Sequence, residues 1–397
     1  MSEAIVRLAS RGDGVTESGR HVPVAAPGDI LLPDGSLEAG PHRAVPPCRH
    51  FPECGGCQLQ HVDDEGYGQF LRDRIASALA AQGVAAPDIL APHISPPLSR
   101  RRASLHAQSR GRQVLLGFNA EKSHRTIDMR ECFILRPELF ALVAPLRQLI
   151  SELLGPRASG AVRMTLADQG ADVLLDKVSA DGLEASEALT AFAQAHRLAR
   201  LSIDDGYGPQ TRWEPEPVTA TLGGVPVPLP HGAFLQATEE GEAALVDAVR
   251  KATGGAQVIA DLFAGLGTFA LSLSGRILAA EGARDAALAL KSAADRAQRQ
   301  VFVDHRDLFR RPYDGKELGR FDAVVLDPPR AGAKEQAVSL ARSGVPRIAL
   351  VSCNPATFAR DAKTLIDGGY RLDWVKPIGQ FRWSTHVELV ACLTGCR

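Results

Sequence analysis

The chain has 397 residues, 45% of them hydrophobic and 23% charged, with a formal net charge of −1. That composition excludes a disordered chain, and it excludes global charge as a means of holding a polyanion, so any nucleic-acid contact has to come from a local basic patch. It leaves an ordinary globular protein, long enough for two or three domains.

No apolar run reaches the roughly 18 residues that would cross a membrane. The first residues, MSEAIVRLASRGDGV, lack the basic-then-apolar pattern of a secretory signal. The expected address is therefore the cytoplasm, with no membrane partner. In that compartment the seven cysteines are read first as metal ligands or catalytic thiols rather than as a disulfide framework.

In chain order, residues 4–8, 21–24 and 29–32 are short β-like pieces separated by Gly, Asp and Pro, and they predict a small β-rich module over 1–45. A proline-bounded linker follows at 41–47, and three cysteines then arrive within ten residues. Phe70, Leu71, Ile75 and Leu79 recur at helical spacing over 64–82, with Gly83 as the expected C-cap. Alternating stretches at 103–107, 114–118, 161–166 and 172–175 predict a mixed sheet with one or two helices, an α+β central domain over 46–229. From 230 to 397 apolar strands at 258–263, 276–280, 323–326, 348–352 and 387–393 alternate with helical lengths, which predicts an α/β domain on a doubly wound, mostly parallel sheet.

Chemistry enters with Asp261-Leu-Phe-Ala-Gly265-Leu-Gly267, which reads as a strand, a glycine turn and then a helix. Such a turn lets a nucleoside cofactor approach the backbone, and Glu281 at the end of the next strand is placed for ribose hydroxyls. NAD uses the same arrangement, so this motif alone does not choose between cofactors. Further on, strand 323–326 ends in Asp327-Pro328-Pro329-Arg330, whose two prolines stop the strand and leave the Asp327 carboxylate at the sheet's C-terminal edge. Strand 348–352 brings Cys353 to the same edge, followed by Asn354-Pro355, a better setting for a nucleophile than for an inert core thiol. The last strand carries Glu388 into an apolar run, where an acid invites a proton-transfer role or a strand-end ion pair.

A second constellation is Cys48-x5-Cys54-Gly-Gly-Cys57 with Cys132 downstream. Four thiolates suit either zinc or a four-iron cluster. Cys392 and Cys396, on the last strand and in the tail, are read as structural or incidental.

Taken together these motifs resemble the RNA uracil-5-methyltransferase family, and its iron–sulfur branch acting on 23S ribosomal RNA in particular. The likeness runs from the N-terminal module to Glu388. It rests on the ordered series Cys48 to His61, the Phe-Leu-Gln run ending at Gln236, Asp-Leu-Phe-Ala-Gly-Leu-Gly, Asp-Pro-Pro-Arg, Ser-Cys-Asn-Pro and His-Val-Glu.

The resemblance implies a class I, Rossmann-like methyltransferase domain and a [4Fe-4S] cluster on Cys48, Cys54, Cys57 and Cys132. It implies an S-adenosylmethionine pocket lined by Gln236, Phe263, Gly265, Gly267, Glu281, Asp307 and Asp327, with Cys353 as nucleophile and Glu388 as base. It also implies an N-terminal module akin to a shortened TRAM/OB-like RNA-binding domain. Where members often carry Asn, this chain has Thr238 and Thr268. The expected substrate is 23S rRNA, with tRNA the alternative, and the expected state is a monomer.

For RNA contact the basic run Arg100-Arg101-Arg102, followed by His106, Arg110, Arg112, Lys122, His124 and Arg125, is the expected phosphate-binding patch. Two other classes stand beside this reading. A NAD-dependent oxidoreductase leaves Asp327 and Cys353 without a role, and a non-catalytic RNA-binding iron–sulfur protein gives no reason for a strand-end cysteine near a carboxylate.

Overall fold

The computed structural model describes residues 2–111 and 113–395, so Arg112 and Cys396 lie outside the described residues. The chain divides into two compact units. One comprises residues up to Tyr67 with Pro96–Ala220 and Phe381–Thr385; the other comprises Gly68–Ser95, Thr221–Gln380 and the residues from His386.

The first unit begins with a five-stranded antiparallel sheet in which Glu3–Leu8 is central, flanked by Gly14–Thr16 and Ile30–Leu31. Its small core is Ile5, Val22, Ala25 and Leu31. Beneath it Asp29 is fully buried, accepts the Ala26 and Gly40 N–H groups, and pairs with Arg43. The same unit holds a six-stranded mixed sheet. Its strands Arg102–Arg110, Ser159–Ala167 and Gly170–Asp176 pair antiparallel, and Arg200–Asp204 joins in parallel. Strand alternation explains the packing: in Arg102–Arg110 the side chains of Ala103, Leu105 and Ala107 enter the core while Ser104 and His106 face solvent. Helices Val143–Leu153 and Leu183–Ala195 pack on that core.

Helix Asp64–Ala81 forms where the apolar spacing predicts it, and Tyr67, Phe70, Leu71, Ile75 and Leu79 are all buried. Gly83 closes it in the left-handed region (φ 68°), and the Val84 N–H reaches back to the Leu79 carbonyl, a Schellman-type ending.

The second unit is built on a sheet whose strands run in the order Val301–His305, Arg276–Glu281, Val258–Leu262, Ala323–Leu326, Arg347–Ser352, Glu388–Gly395, Tyr370–Gly379. The first five are parallel, and Glu388–Gly395 is inserted antiparallel between its neighbours. The chain steps outward from Val258 to His305 and then returns to the other side of Val258–Leu262. That creates a switch point beside this strand, and ligands bind at the carboxyl ends there. The outer edge of Tyr370–Gly379 is covered by two short parallel strands, Asp88–Ile89 and His93–Ile94.

Local chemistry sets the helices of this unit. Glu239–Thr253 starts at Thr238, whose hydroxyl accepts the Gly241 N–H at 3.0 Å, carries Glu239, Glu240 and Glu242 in its first turn, and ends at Gly254 in the left-handed region. No helix among the described residues is long and apolar enough to cross a membrane.

Candidate active site

Five parallel strands end along one edge of the sheet, and the residues at or just beyond those ends carry most of the groups expected of the site. After Val258–Leu262 the chain enters Phe263, a non-glycine residue in the left-handed region (φ 64°), a conformation that costs on the order of 1–3 kcal/mol and persists only where surroundings enforce it. Its ring lies 5.3 Å from that of the half-exposed Phe309.

The two glycines that follow do different jobs. A Cβ on Gly265 would project into open space, whereas one on Gly267 would come within 2.4 Å of Leu290, so Gly267 serves close packing and Gly265 keeps a face clear. The expected helix after Gly267 does not form as a regular element. Residues 265–272 are successive turns, held by bonds such as Leu271 N–H to the Gly267 carbonyl, because the next strand starts at Arg276 and leaves too little chain for a helix. Glu281 stands over this turn: its carboxylate accepts the Gly265 N–H at 2.8 Å and the Ala283 N–H at 2.6 Å, and retains lone pairs for further donors.

Asp307 accepts the N–H groups of Phe309 and Arg310, which fixes the bend that carries Phe309. Gln236 is buried, and its side-chain oxygen accepts from the Gln380 amide at 2.8 Å, while Gln380 in turn accepts the Ala237 N–H. Thr238 is equally buried; its hydroxyl is committed to Gly241 and to Ser95, 2.8 Å away, so this position is a helix cap, which an Asn would also serve. Thr268 is half-buried. The open face at Gly265, the paired rings and the carboxylates of Glu281 and Asp307 together suit a nucleoside with a flat aromatic base and a hydroxylated ribose.

The cysteine end is more tightly built. Ser352 Oγ accepts the Asn354 N–H at 3.1 Å, Asn354 Oδ1 accepts the Ala356 N–H, and Pro355 takes the first position of helix Pro355–Asp367. Asn354 Nδ2 and Thr357 Oγ1 both donate to the Arg330 carbonyl, so the Asp-Pro-Pro-Arg loop and the Cys353 turn are tied together. The Arg330 guanidinium lies 3.1 Å from His386 Nδ1.

Cys353, Asp327 and Glu388 are electrostatically coupled. Burial, then the carboxylates of Glu388 and Asp327, push the Cys353 thiol above its usual pKa, and Arg330 opposes them. Burial and the charges of Glu388 and Asp261 hold the Asp327 carboxyl well above the usual range. Asp261 was not singled out in the sequence as a site group. It is fully buried, and burial, helped by the charge of Glu281 and opposed by the Ala270 backbone N–H, pushes its pKa up to about 7. Its signal was its place at the end of a strand leading into a glycine turn. Phe309 and Gln380 carried no signal in their neighbours.

In the other unit Cys48, Cys54, Cys57 and Cys132 line one small cavity with Phe51, Phe118, Ile127, Met129, Phe133 and Ile134. All four are free thiols. Burial pushes Cys57 up to about 12, and the other three are also raised. The Gly-Gly pair is required by space, since a Cβ on Gly55 would lie 2.8 Å from the Asn119 carbonyl and one on Gly56 3.0 Å from Phe118. Among the described residues no three His, Cys, Asp or Glu side chains converge as they would around one metal ion.

The arginine run is not the solvated patch expected of it. Arg101 is only 6% exposed and Arg100 and Arg102 are half-buried, because they lie where the chain enters the strand Arg102–Arg110 and its core. The outward-facing cations nearby are Arg110, Lys122 and Arg125, with His106 and His124; Arg125 pairs with Glu53 at 2.8 Å and Lys122 with Glu121 at 3.1 Å.

Comparison with known proteins decides the family. An uncharacterized RNA methyltransferase of Zymomonas mobilis is 56% identical over 98% of this chain and 99% of its own length. The 23S rRNA (uracil(1939)-C(5))-methyltransferase RlmD of Chromohalobacter salexigens is 33% identical over 90% of this chain and 78% of its own length. The chain belongs to the RNA uracil-5-methyltransferase family. Residues 230–395 match the tRNA (uracil-5-)-methyltransferase family profile, and the enzyme class is that of an S-adenosylmethionine-dependent RNA (uracil-5-)-methyltransferase. The family fold is shared with the Pyrococcus abyssi tRNA (uracil-54, C5)-methyltransferase crystallised with S-adenosyl-L-homocysteine, which has a TM-score of 0.77 and 23% identity and covers 99% of this chain and all of that one.

Proposed function

We propose that this enzyme methylates C5 of a uridine in 23S ribosomal RNA through a covalent bond between Cys353 and C6 of the base. The observation that carries the reading is the convergence of Cys353, Asp327 and Glu388 at one sheet edge, where burial first and neighbouring carboxylates second raise both the Cys353 thiol and the Asp327 carboxyl. C5 of uracil is a weak nucleophile. Adding the Cys353 thiolate to C6 turns the ring into an enolate that is nucleophilic at C5, which splits one hard step into easier ones. Gln236, Phe263, Gly265, Gly267, Glu281, Asp307 and Asp327 would hold S-adenosylmethionine, which would supply the methyl group. Glu388 then takes the C5 proton so that elimination releases Cys353, and Asp327 accepts the N3–H that orients the pyrimidine. Such a site takes the uridine out of its stack, which a loop or bulge in RNA permits cheaply.

The likeness to the Chromohalobacter enzyme favours 23S rRNA, and the likeness to the archaeal tRNA enzyme makes tRNA the second reading. Mapping 5-methyluridine in ribosomal and transfer RNA from a deletion strain tests both: loss from 23S rRNA supports the first, loss from tRNA alone replaces it with the second.

The reading includes a [4Fe-4S] cluster on Cys48, Cys54, Cys57 and Cys132, supported by four free thiols around one apolar cavity. These cysteines would anchor the loop before helix Asp64–Ala81 to the segment at Cys132, a structural rather than redox task. Purified without air, the protein should be brown and contain iron and acid-labile sulfide, and Cys54→Ser should bleach it. Stoichiometric zinc without sulfide would overturn the assignment.

A further inference from the structure

We propose that Arg306 is a positioning residue for the cofactor: its side chain holds the loop 307–312 in the shape that presents Asp307 and Phe309, and so sets the affinity for S-adenosylmethionine without entering the chemical step. The inference rests on the reading of Asp307 and the paired Phe263 and Phe309 rings as the nucleoside side of the pocket. Arg306 follows the edge strand Val301–His305, and its N–H donates to the Glu281 carbonyl at 2.9 Å. Beyond it residues 307–312 form neither helix nor strand. Their own bonds close the near end, where the Asp307 carbonyl accepts the Arg311 N–H at 2.8 Å and the Asp307 carboxylate accepts from Phe309 and Arg310. Phe309, at the tip, is 48% exposed.

The far end is closed by the Arg306 guanidinium. Its Nε donates to the Arg311 carbonyl at 2.7 Å, and Nη2 donates to the Pro312 carbonyl at 2.9 Å. The outer edge of the fork faces Glu317, with Nη1 donating to Oε1 at 3.1 Å and Nη2 to Oε2 at 3.3 Å. Four of the five guanidinium N–H groups are thereby engaged. The Arg306 Cζ also lies 3.8 Å from the Tyr313 ring centroid. Both counterparts are anchored: Tyr313 is buried and its hydroxyl donates to Asp304, while Glu317 belongs to the capping box that starts helix Gly315–Leu318. A lysine, with its charge at one point, cannot span two carbonyls and a carboxylate in one plane. A loop ordered before the ligand arrives spares binding the entropy of ordering it, so affinity is where the effect should be read.

The test is calorimetry of the full chain with S-adenosyl-L-homocysteine as the probe, on wild type, Arg306→Met, Arg306→Lys, Phe309→Ala and the variant carrying both Arg306→Met and Phe309→Ala, with a melting temperature for each. Arg306→Met should raise Kd about tenfold and Arg306→Lys about threefold. Phe309→Ala should also weaken binding, and adding Arg306→Met to it should cost less than about threefold more, because the tip that the guanidinium positions is already gone. In methyl transfer to RNA from a deletion strain, KM for S-adenosylmethionine should follow Kd while kcat stays within about twofold. An unchanged Kd in folded Arg306→Met overturns the proposal. So does a tenfold loss that persists in full on the Phe309→Ala background, since Arg306 would then act apart from the loop tip. If Arg306→Met does not fold, Arg306→Lys carries the same comparison, and failure of both to fold overturns the proposal, because the arginine would then serve the fold. Wild-type affinity in Phe309→Ala removes that ring from the pocket and overturns the proposal with it. Wild type that binds no S-adenosyl-L-homocysteine would defeat the pocket reading itself, before any variant is compared.

Discussion

Cys353 and Glu388 stand opposite one another at the end of an antiparallel ladder, because Ser352 is registered with Leu389 and the next step along each chain reaches the thiol and the acid. The antiparallel insertion of Glu388–Gly395 beside Arg347–Ser352 therefore brings the start of one strand to the end of the other. A parallel neighbour in that place would have contributed its C-terminal residue instead.

Replacing Cys353 with Ala should abolish turnover while leaving S-adenosylmethionine binding within about twofold, measured by calorimetry, because the thiol is proposed to attack the base and not to hold the cofactor. The raised thiol pKa adds a pH signature: below that pKa, kcat/KM of the wild type should climb about tenfold per pH unit as the thiolate fraction grows. A flat profile, or near-normal turnover by Cys353→Ala, would assign the attack to another group. Cys392→Ala is the control, since that thiol is buried in the sheet.

Glu388→Gln separates a base from a structural acid. Addition of Cys353 and methylation at C5 need no base there, so both should proceed while proton removal stalls. A methyl-labelled RNA–protein adduct should then accumulate on denaturing gels, dependent on Cys353. Full turnover by the folded variant removes Glu388 from the mechanism, and absence of both turnover and adduct places its role before methyl transfer.

Asp261 should make the protein's stability fall as pH rises. Its folded pKa of about 7 lies above the ordinary 3.8, so the folded state holds this proton more tightly than the unfolded chain does. The contribution is fully present below about 3.8 and is lost as pH climbs through about 7, by up to on the order of 4 kcal/mol. Asp261→Asn has no proton to lose there. Relative to wild type its melting temperature should therefore rise between about pH 4 and pH 7 and level off above that. Parallel pH profiles for the two proteins would show that Asp261 is not protonated in the fold.

Thr238→Ala should cost about 1 kcal/mol of stability through loss of the cap on Glu239–Thr253, and Thr238→Asn should be near neutral, read by thermal melting. A large loss of cofactor affinity in Thr238→Asn without loss of stability would mean that the hydroxyl also touches the cofactor.

Much of the second unit was legible because its strands are short apolar runs bounded by turn chemistry, and because Asp327 and Cys353 follow such runs directly. Glu388 was legible as an acid in an apolar segment. The helix expected after Gly267 failed because local composition says nothing about how soon the next strand must begin. The Arg100–Arg102 run misled for a related reason: charge in sequence does not report which side of a strand a residue occupies, and two aromatic rings distant in sequence enclose Arg100. Gln380, 144 positions from the Gln236 it orients, could not be paired with it by any local pattern.

The edge strands Asp88–Ile89 and His93–Ile94 carry a lesson about inheritance. They belong to the same compact unit as the methyltransferase sheet, yet they are encoded ahead of the whole central region, and Ser95 beside them reaches the cap residue Thr238. A gene fragment spanning only 230–395 would encode every proposed catalytic group and still leave the backbone of Tyr370–Gly379 open along its outer side, an invitation to self-association. The methylating unit is therefore not a segment that recombination could lift out with a single cut. Descent should have kept the flanking piece and the distal piece together, and an engineer grafting this chemistry elsewhere would have to carry both.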